Sequence, residues 1–531
     1  MALTETRSHD APSLAPAAEE PRAEPTVLEQ TVGTADHRRI GRWYVILSLV
    51  FAALALVVAA LANIHQGTGT LLDADLATRL IANNPFDLLL ASAFPLMLGL
   101  AVYLVPLQVG APSLSFPRAA AMSLWAWLGG VVLFTVAWLA DGSYGGNNLK
   151  LARLGPLSIG LMATALCVGV LCVAVTVFAN RTEGMTLGDV PFFSFSMVVT
   201  AILWLTTLPV LLASITVWQI RRPQTVDLKG DAFAAVQWFL HQPAMFIVAI
   251  PVLGLFADMC AGSARHRQHG YGVVQAGIAA FGLFSFGAWA TTATAESTLV
   301  YSAFTVGLGL AALVVVGSSA DTLRRGRFEV SGSVAMGLVS VVTLLLATAI
   351  GVVNAVSTLG KGDLFTNVRG SFVDATAGTV VGQLYLVIGA TVVMGAAATF
   401  HWSRPLFGHV VPKGVGLALA PAALVGALLF GFGQVIVGYG TPDGDAYKVL
   451  LVVSAVGALL VGLVSMGAGI AAIFGALGGS HEQVDRVEGG TLEWIAAKPS
   501  RSANFDEPLA LVAGPYPLLD LDESATKGES R

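Results

Sequence analysis

Long apolar runs alternate with short polar connections along most of the chain. A helix needs about 20 mostly apolar residues to span the hydrocarbon core of a bilayer, and twelve runs reach that length. The pattern therefore predicts an all-α, polytopic membrane protein with about twelve transmembrane helices. The predicted spans are residues 42–64, 86–109, 120–142, 155–180, 190–219, 234–259, 272–293, 298–319, 333–354, 376–400, 414–438 and 447–475.

The segments outside these spans divide the chain into three parts. Residues 1–41 are rich in Pro, Ala, Glu and Arg and contain no long apolar run, so we expect a disordered N-terminal tail rather than a signal peptide. Residues 42–475 form the predicted membrane domain, and residues 476–531 form a polar C-terminal tail. An even number of spans places both tails on the same side of the membrane.

Basic residues indicate which side the tails occupy. Arg38, Arg39 and Arg42 lie directly before the first span, and the arginine cluster at residues 324–327 falls in a loop on the same side. Because cytoplasmic loops carry the excess of Lys and Arg, we expect both tails in the cytoplasm and the chain in a bacterial plasma membrane. The basic loop at residues 221–229 falls on the opposite side and weakens this bias.

The composition agrees with a protein whose main partner is the lipid bilayer. Of 531 residues, 55% are hydrophobic and only 11% are charged, against roughly 25% charged in soluble globular domains. The formal net charge of -5 argues against nucleic acid as a partner. Cys167, Cys172 and Cys260 form no C-x-x-C pattern, so neither a thiolate metal site nor covalent c-type heme is indicated.

Several short stretches of the sequence are distinctive. Residues 103–112 read YLVPLQVGAP and residues 115–118 read SFPR; together they resemble the end of helix II and the start of helix III in subunit I of cytochrome c oxidase. Residues 34–41, TADHRRIG, resemble the segment before helix I, and residues 490–494, GTLEW, resemble the cytoplasmic tail. On this similarity the chain is identified as a divergent member of the heme-copper oxidase family. The resemblance implies a twelve-helix, subunit I-like bundle.

The resemblance also implies positions for heme ligands. In the family, one histidine on helix II and two in an H-x-H motif on helix X hold the hemes. Asn84 stands at the helix II position. The helix X positions are Gly382 and Leu384, or Gln383 and Tyr385, because the registration is ambiguous by one residue. None is a histidine, and although a tyrosine can ligate iron, a packed ring with one hydrogen bond is the alternative interpretation of Tyr385.

The copper positions implied by the resemblance are substituted in the same way. The matching residues are Gln242, Thr291 and Thr292. The family's tyrosine next to copper corresponds to Phe246, and its proton-transferring glutamate corresponds to Ala244. His241 lies one residue from the copper position, which rotates it by about 100° on a helix.

Other family positions of the same kind carry different chemistry here. Asp443 stands where the family places arginine against the heme propionates, so its carboxylate would repel them. Ser113 and Val315 replace the aspartate and the lysine of the family's proton channels. Asp87 and Asp258 are the remaining acidic candidates in the predicted spans. The spans thus contain no recognisable proton relay of the family's type.

From these substitutions we expect no heme and no copper, and therefore a degenerate metal site. The leading hypothesis is a structural, assembly or regulatory subunit of a respiratory-type complex, with other oxidase-type membrane subunits as partners. Whether the chain is an enzyme stays open, since the alternative is a working terminal oxidase that oxidises cytochrome c, reduces dioxygen and pumps protons. A further alternative is a pore or small-ligand carrier. Its cavity would be lined by Asn84, His241, Gln242, Thr291, Thr292 and Gln383.

Overall fold

The chain forms a bundle of long membrane-crossing helices in the computed structural model. The described residues are 33–148, 151, 153–221, 236, 238–240, 242–287, 298–326, 330–359, 366–408, 410–439, 444–477, 489–496, 504–505, 509, 512 and 514–519. The helices are α1 His37–Thr68, α2 Ala74–Phe86, α3 Phe94–Gln108, α4 Pro117–Leu139, α5 Leu154–Ala179, α6 Phe192–Arg221, α7 Gln242–Ala264, α8 Tyr271–Ser285, α9 Thr298–Arg325, α10 Gly332–Leu359, α11 Thr366–His401, α12 Ser403–Phe407, α13 Lys413–Tyr439 and α14 Asp445–Leu477.

The helix count confirms the predicted fold class. Within the described residues, 11 helices are long and apolar enough to cross a membrane, whereas the twelfth predicted span, residues 272–293, corresponds to the shorter apolar helix α8. The second crossing is longer than predicted, because α2, a π-helical turn at Asp87–Ala93 and α3 form one continuous rod. We use the term N-terminal face for the side of the bundle on which α1 begins.

The first helix also begins earlier than its apolar run. Asp36 caps α1, since its side chain accepts a hydrogen bond from the backbone N–H of Arg38 at 2.9 Å. A carboxylate in that position satisfies one of the free N–H groups of the first turn and favours the positive end of the helix dipole. The apolar pattern therefore marks where lipid contact begins, whereas the cap decides where the helix begins.

A proline explains the π-helical turn in the second crossing. Pro95 has no N–H to donate, and the neighbouring Phe94 N–H bonds instead to the carbonyl of Leu89. The carbonyl of Leu90 accepts a hydrogen bond from Trp127 Nε1 of α4 at 2.8 Å. A side chain from the next helix thus satisfies a backbone group in the irregular turn, as the interior of a membrane protein requires.

Small residues allow the helices to approach one another closely. A Cβ atom at Gly99 of α3 would lie 2.5 Å from Cβ of Tyr44 on α1, and one at Gly433 of α13 would lie 2.7 Å from the carbonyl oxygen of Leu450 on α14. Lipid supplies no hydrophobic drive for helix association, so such van der Waals contacts hold the bundle together.

The described part of the C-terminal tail lies against the N-terminal face. Arg38, which is 1% exposed, donates through Nε to Asn504 Oδ1 at 3.2 Å and through Nη2 to the Asn504 carbonyl at 2.9 Å. Asn504 Nδ2 in turn donates to the carbonyl of Ala111 at 2.8 Å. The backbone N–H of Val512 donates to the carbonyl of Glu183 at 3.2 Å. The tail thus bonds to the start of α1 and to the loops after α3 and α5.

Candidate functional site

Asn84, the residue that the sequence match puts at the helix II heme position, is buried and has no side-chain partner in the part of the chain that the structure describes. Asn84 lies near the end of α2, one turn before the π-helical segment, and is 2% exposed. Neither atom of its side-chain amide has a hydrogen-bond partner among the described residues. An unpaired buried amide costs about 1–3 kcal/mol, so this position is polar without a visible structural reason.

The four candidate positions on helix X lie on α11 and face different neighbours. A Cβ at Gly382 would come within 2.5 Å of the backbone nitrogen of Val435, so Gly382 touches α13. Gln383 Nε2 donates to the carbonyl of Ala347 on α10 at 3.0 Å, and Leu384 is 3% exposed. The ring of Tyr385 stacks on another aromatic ring of α13. That partner is Phe430, with centroids 4.1 Å apart and planes 11° apart.

The copper positions lie largely outside the described residues. His241, Thr291 and Thr292 are not described, and neither is Asp443 at the propionate position. Gln242 begins α7, but its side chain is also outside the described set, as is that of Ala244. The predicted cavity that combines these residues with Asn84 and Gln383 is therefore untested and stays a prediction.

The remaining described family positions include two matched to the proton channels, Ser113 and Val315, and one matched to the tyrosine next to copper, Phe246. They hold packed apolar side chains or an exposed loop residue. Val315 on α9 packs on Gly277 of α8, where an added Cβ would lie 2.7 Å from Val315 Cγ2. Phe246 on α7 contacts Phe281 of α8 edge to face, with centroids 6.2 Å apart. Ser113 is exposed in the loop between α3 and α4.

A buried carboxyl pair lies at the N-terminal face. Asp258, near the end of α7, accepts hydrogen bonds from the backbone N–H groups of Phe192 at 3.0 Å and Phe193 at 2.9 Å, which open α6. Gln108 Nε2, at the end of α3, lies 3.2 Å from Asp258 Oδ2 and 3.4 Å from Glu493 Oε1 in the C-terminal tail. One amide thus joins two carboxyls that are 8% and 2% exposed.

Further donors surround the tail carboxyl. Glu493 Oε1 accepts from Thr491 Oγ1 at 2.8 Å and from Trp402 Nε1 at 3.2 Å, whereas Oε2 is buried without a partner among the described residues. Ser194 Oγ donates to Gln108 Oε1 at 2.7 Å and so fixes which way the amide points. Burial raises the pKa of the Glu493 carboxyl above its ordinary value, against the opposing effect of these hydrogen bonds.

The sequence predicts one member of this pair, Asp258, but not the other, Glu493. Asp258 was singled out as an acidic residue in a predicted span, but Glu493 was noted only as a letter of the GTLEW stretch. The available signal was a glutamate between Leu492 and Trp494, since an acid flanked by large apolar residues in a polar tail is a candidate for burial. Chemically, two adjacent buried carboxyls can hold one proton between them.

A family model described as Cytochrome C and Quinol oxidase polypeptide I matches residues 39–460. The chain belongs to this family. Membership confirms the resemblance carried by the YLVPLQVGAP stretch, which lies within the matched residues, and it establishes a heme-copper oxidase subunit I-like membrane protein.

The individual relatives share low sequence identity with this chain but match most of its length. Quinol oxidase subunit 1 of Bacillus subtilis is 23% identical over 474 residues, covering 81% of this chain and 70% of the relative. Cytochrome c oxidase subunit 1 of the same organism is 24% identical over 535 residues, covering 94% and 84%. Heme-copper oxidase subunit I+III of Aeropyrum pernix is 24% identical over 509 residues, covering 90% of this chain but only 61% of the relative.

A solved structure agrees on the fold. A heme-copper terminal oxidase dimer, solved by cryo-EM, matches with a TM-score of 0.61 at 15% identity, over 92% of this chain and 90% of that chain. At this identity the likeness establishes the arrangement of helices and nothing about the reaction.

Family membership corrects the expectation about cofactors. We expected neither heme nor copper, and this was wrong, because the chain belongs to a heme-copper oxidase family whose members normally bind both and no finding shows that they are lost. The expectation rested on matching single residues at an identity of about 23%, at which a shift of one position changes the ligand assigned.

The matched heme positions were also tested for fit. Asn84 and Gln383 present amides, Tyr385 presents a phenol in a ring stack, and Gly382 and Leu384 present no donor atom. Within the described residues, no group of three His, Cys, Asp or Glu side chains could hold a metal ion. The residues at these positions do not fit the family's ligand set as matched, so we derive no reaction step through heme or copper.

Proposed function

We propose that this chain is the subunit I-like component of a respiratory-type membrane complex, in which it has a structural, assembly or regulatory role beside other oxidase-type membrane subunits. The observation that carries the proposal is the C-terminal tail bonded to the N-terminal face, with Arg38 of that face and Glu493 of the tail both buried in the contact. The same proposal places the tails at residues 1–41 and 476–531 in the cytoplasm.

The free-energy cost of burying these charged groups supports a role for the tail contact beyond stability. Burying a guanidinium and two carboxyls costs several kcal/mol for each charge unless partners compensate. Arg38 meets its partner Asn504 across 466 residues of sequence, and Glu493 meets Gln108 across 385. Bundle stability alone would be served by apolar residues at these places. These buried contacts hold the tail in one position, and a surface of fixed shape and charge is what a neighbouring subunit needs for specific docking.

Affinity purification from the native membrane tests the proposal. The tagged full-length chain, extracted in a mild detergent, is expected to retain at least one other membrane subunit in a fixed ratio, identified by mass spectrometry. An unrelated polytopic protein with the same tag, extracted in parallel, controls for membrane proteins that adhere to detergent particles. Recovery of the chain with no subunit enriched above this control would overturn the proposal.

The second candidate is the family's own activity, and the matches to quinol and cytochrome c oxidases favour it. A working oxidase contains heme in stoichiometric amount and consumes dioxygen with a reduced quinol or cytochrome c donor in a cyanide-sensitive reaction. A visible spectrum and an oxygen electrode separate the two candidates when they are applied to this chain after it has been separated from its partner subunits. Stoichiometric heme and cyanide-sensitive turnover in that preparation would establish catalysis in place of the structural role.

A further inference from the structure

A cavity of about 650 Å³ opens at the N-terminal face. It lies where the ends of α7, α9 and α11 meet the beginnings of α10 and α13. Its volume falls within the roughly 300–1,000 Å³ that is usual for small-molecule sites. None of the sequence stretches that carry the family resemblance lines this cavity.

Three cationic side chains line the cavity: Arg265, Arg325 and Lys413. The imidazoles of His266 and His401 also line it, and none of its lining residues is an aspartate or glutamate. Three cations from three separate segments therefore converge on one space. Such convergence favours an anion, because each cation contributes to the same positive potential.

One nearby carboxylate compensates part of this charge. Asp321, one turn before the end of α9, lies 2.7 Å from Arg325 Nε and 2.9 Å from Arg324 Nη2. It is thus shared between two arginines. Arg325 Nε points at Asp321, which leaves the rest of the guanidinium fork for another acceptor. No ion pair in the described residues involves Arg265.

Two helix beginnings add backbone donors to the same space. The backbones of Gly332 and Gly416 touch, since a Cβ at Gly332 would lie 2.5 Å from the carbonyl carbon of Gly416. The first turns of α10 and α13 are therefore held side by side, and both contribute lining residues. Helix N-termini carry partial positive charge and free N–H groups, so they add to the pull that the cationic side chains exert on an anion.

The cavity also has an apolar side. Phe400, Val410 and Val411 contribute to its wall. Beside it, Val415 and Leu417 on the first turns of α13 are 39% and 43% exposed, as expected for side chains that face lipid. A ligand that combines an anionic group with an apolar portion would match both sides of this cavity.

We propose that this cavity binds a phosphate-bearing anion, and that its source is the headgroup of an anionic phospholipid in the adjacent leaflet. The phosphate lies among Arg265, Arg325 and Lys413, and the glycerol and acyl portion follows the apolar wall toward Val415 and Leu417. This inference goes beyond the proposed function and does not depend on it, because lipid binding is measured on the purified chain whether or not partner subunits are present.

Lipid titration of the full-length protein tests the site. The protein is purified in a mild detergent, depleted of lipid and titrated with short-chain phosphatidylglycerol, short-chain phosphatidylcholine or inorganic phosphate, with the thermal midpoint and native mass spectrometry as readouts. We expect saturable binding of phosphatidylglycerol, a rise in the midpoint and little response to phosphatidylcholine. The variant with both Arg265→Gln and Lys413→Gln is expected to bind phosphatidylglycerol roughly thirtyfold more weakly, from the loss of two basic residues near the anionic group.

Controls separate loss of binding from loss of folding. Arg39→Gln removes an exposed arginine from the same face without touching the cavity and is expected to leave the affinity within about twofold of the original. Lys413→Gln alone changes one exposed side chain and gives an intermediate affinity. Equal affinity of the double variant and the unmodified protein, or equal binding of both lipids, would overturn the site. A full midpoint shift with inorganic phosphate alone would support the phosphate site and overturn the lipid source.

Discussion

Asp258 and Glu493 share one donor: Gln108 Nε2 lies 3.2 Å from the Asp258 carboxyl and 3.4 Å from the Glu493 carboxyl. This contact joins the end of α7 to the C-terminal tail through the end of α3. The two acids lie 235 positions apart in the sequence, so the contact exists only in the folded protein. The stability of the N-terminal face therefore depends on a polar network rather than on apolar packing alone.

Replacing the bridging amide should destabilise the protein. Gln108→Leu keeps the volume but removes a donor from both buried carboxyls and the acceptor of Ser194 Oγ. Each buried polar group left unpaired costs about 1–3 kcal/mol, which predicts a clear fall in the thermal midpoint in detergent. Gln275→Leu is the matched control, since Gln275 loses only one 3.4 Å bond to a carbonyl. Equal midpoints for the two variants would contradict the bridging role.

Stability should depend on pH through the tail carboxyl. Because burial raises the pKa of Glu493 above the ordinary value of about 4.3, the folded protein keeps a proton that the unfolded chain releases. The stabilisation is fully present below the ordinary pKa and is lost as pH rises toward the raised pKa. Asp258 and Tyr516 are the other titratable groups that interact with Glu493. The pH dependence of stability therefore belongs to the three groups together.

Glu493→Gln tests this dependence. The free energy of unfolding of the variant, minus that of the unmodified protein, is expected to increase between pH 5 and pH 8, because only the unmodified protein loses the stabilisation that the protonated carboxyl provides. Thermal unfolding in detergent at each pH measures this difference. Glu183→Gln makes the same replacement at an exposed glutamate on the same face and is the matched control. A flat difference for Glu493→Gln would show that this carboxyl is not buried as described.

The tail should detach when its asparagine is removed. Asn504→Ala removes the acceptor of Arg38 Nε and the donor to the Ala111 carbonyl, leaving Arg38 buried with a weaker set of partners. We expect faster cleavage of the tail in limited proteolysis and a loss of about 1–3 kcal/mol. Arg39→Ala, which disturbs only an exposed ion pair with Asp36, is the control. Unchanged cleavage of Asn504→Ala would contradict the docking of the tail.

The contact between the first turns of α10 and α13 should tolerate no side chain. Gly332→Ala would place a Cβ 2.4 Å from the backbone nitrogen of Leu417, so the helices must separate at a cost of about 1–3 kcal/mol. Gly414→Ala lies two residues from the same contact but meets nothing within 4 Å, and alanine favours the helix. The thermal midpoint should therefore fall in the first variant and hold or rise in the second. A fall of similar size in both would contradict the close approach.

The apolar pattern of the sequence was sufficient to predict the helix bundle but not the polar contacts between its helices. Among the described residues every predicted span contains a helix, although the span at residues 272–293 contains only the short helix α8. In lipid only a helix satisfies every backbone group within a single segment. The π-helical turn near Pro95 was not predicted, since it depends on Trp127 of another helix reaching the Leu90 carbonyl. The burial of Glu493 was missed for the same reason, because its partners come from α3, α7 and the segment around Trp402. The apolar periodicity of one helix does not specify which polar residue from a distant part of the sequence contacts that helix.

The particle mass in a mild detergent tests the central claim most directly. The chain has a mass of 54.9 kDa, and light scattering coupled to size separation reports the protein mass of the particle after the detergent contribution is subtracted. The subunit I-like role predicts a mass above that of the chain by at least one further membrane subunit, and a partial return toward the single-chain mass for Asn504→Ala. A particle of one chain alone, extracted under conditions that keep other respiratory complexes intact, would contradict it.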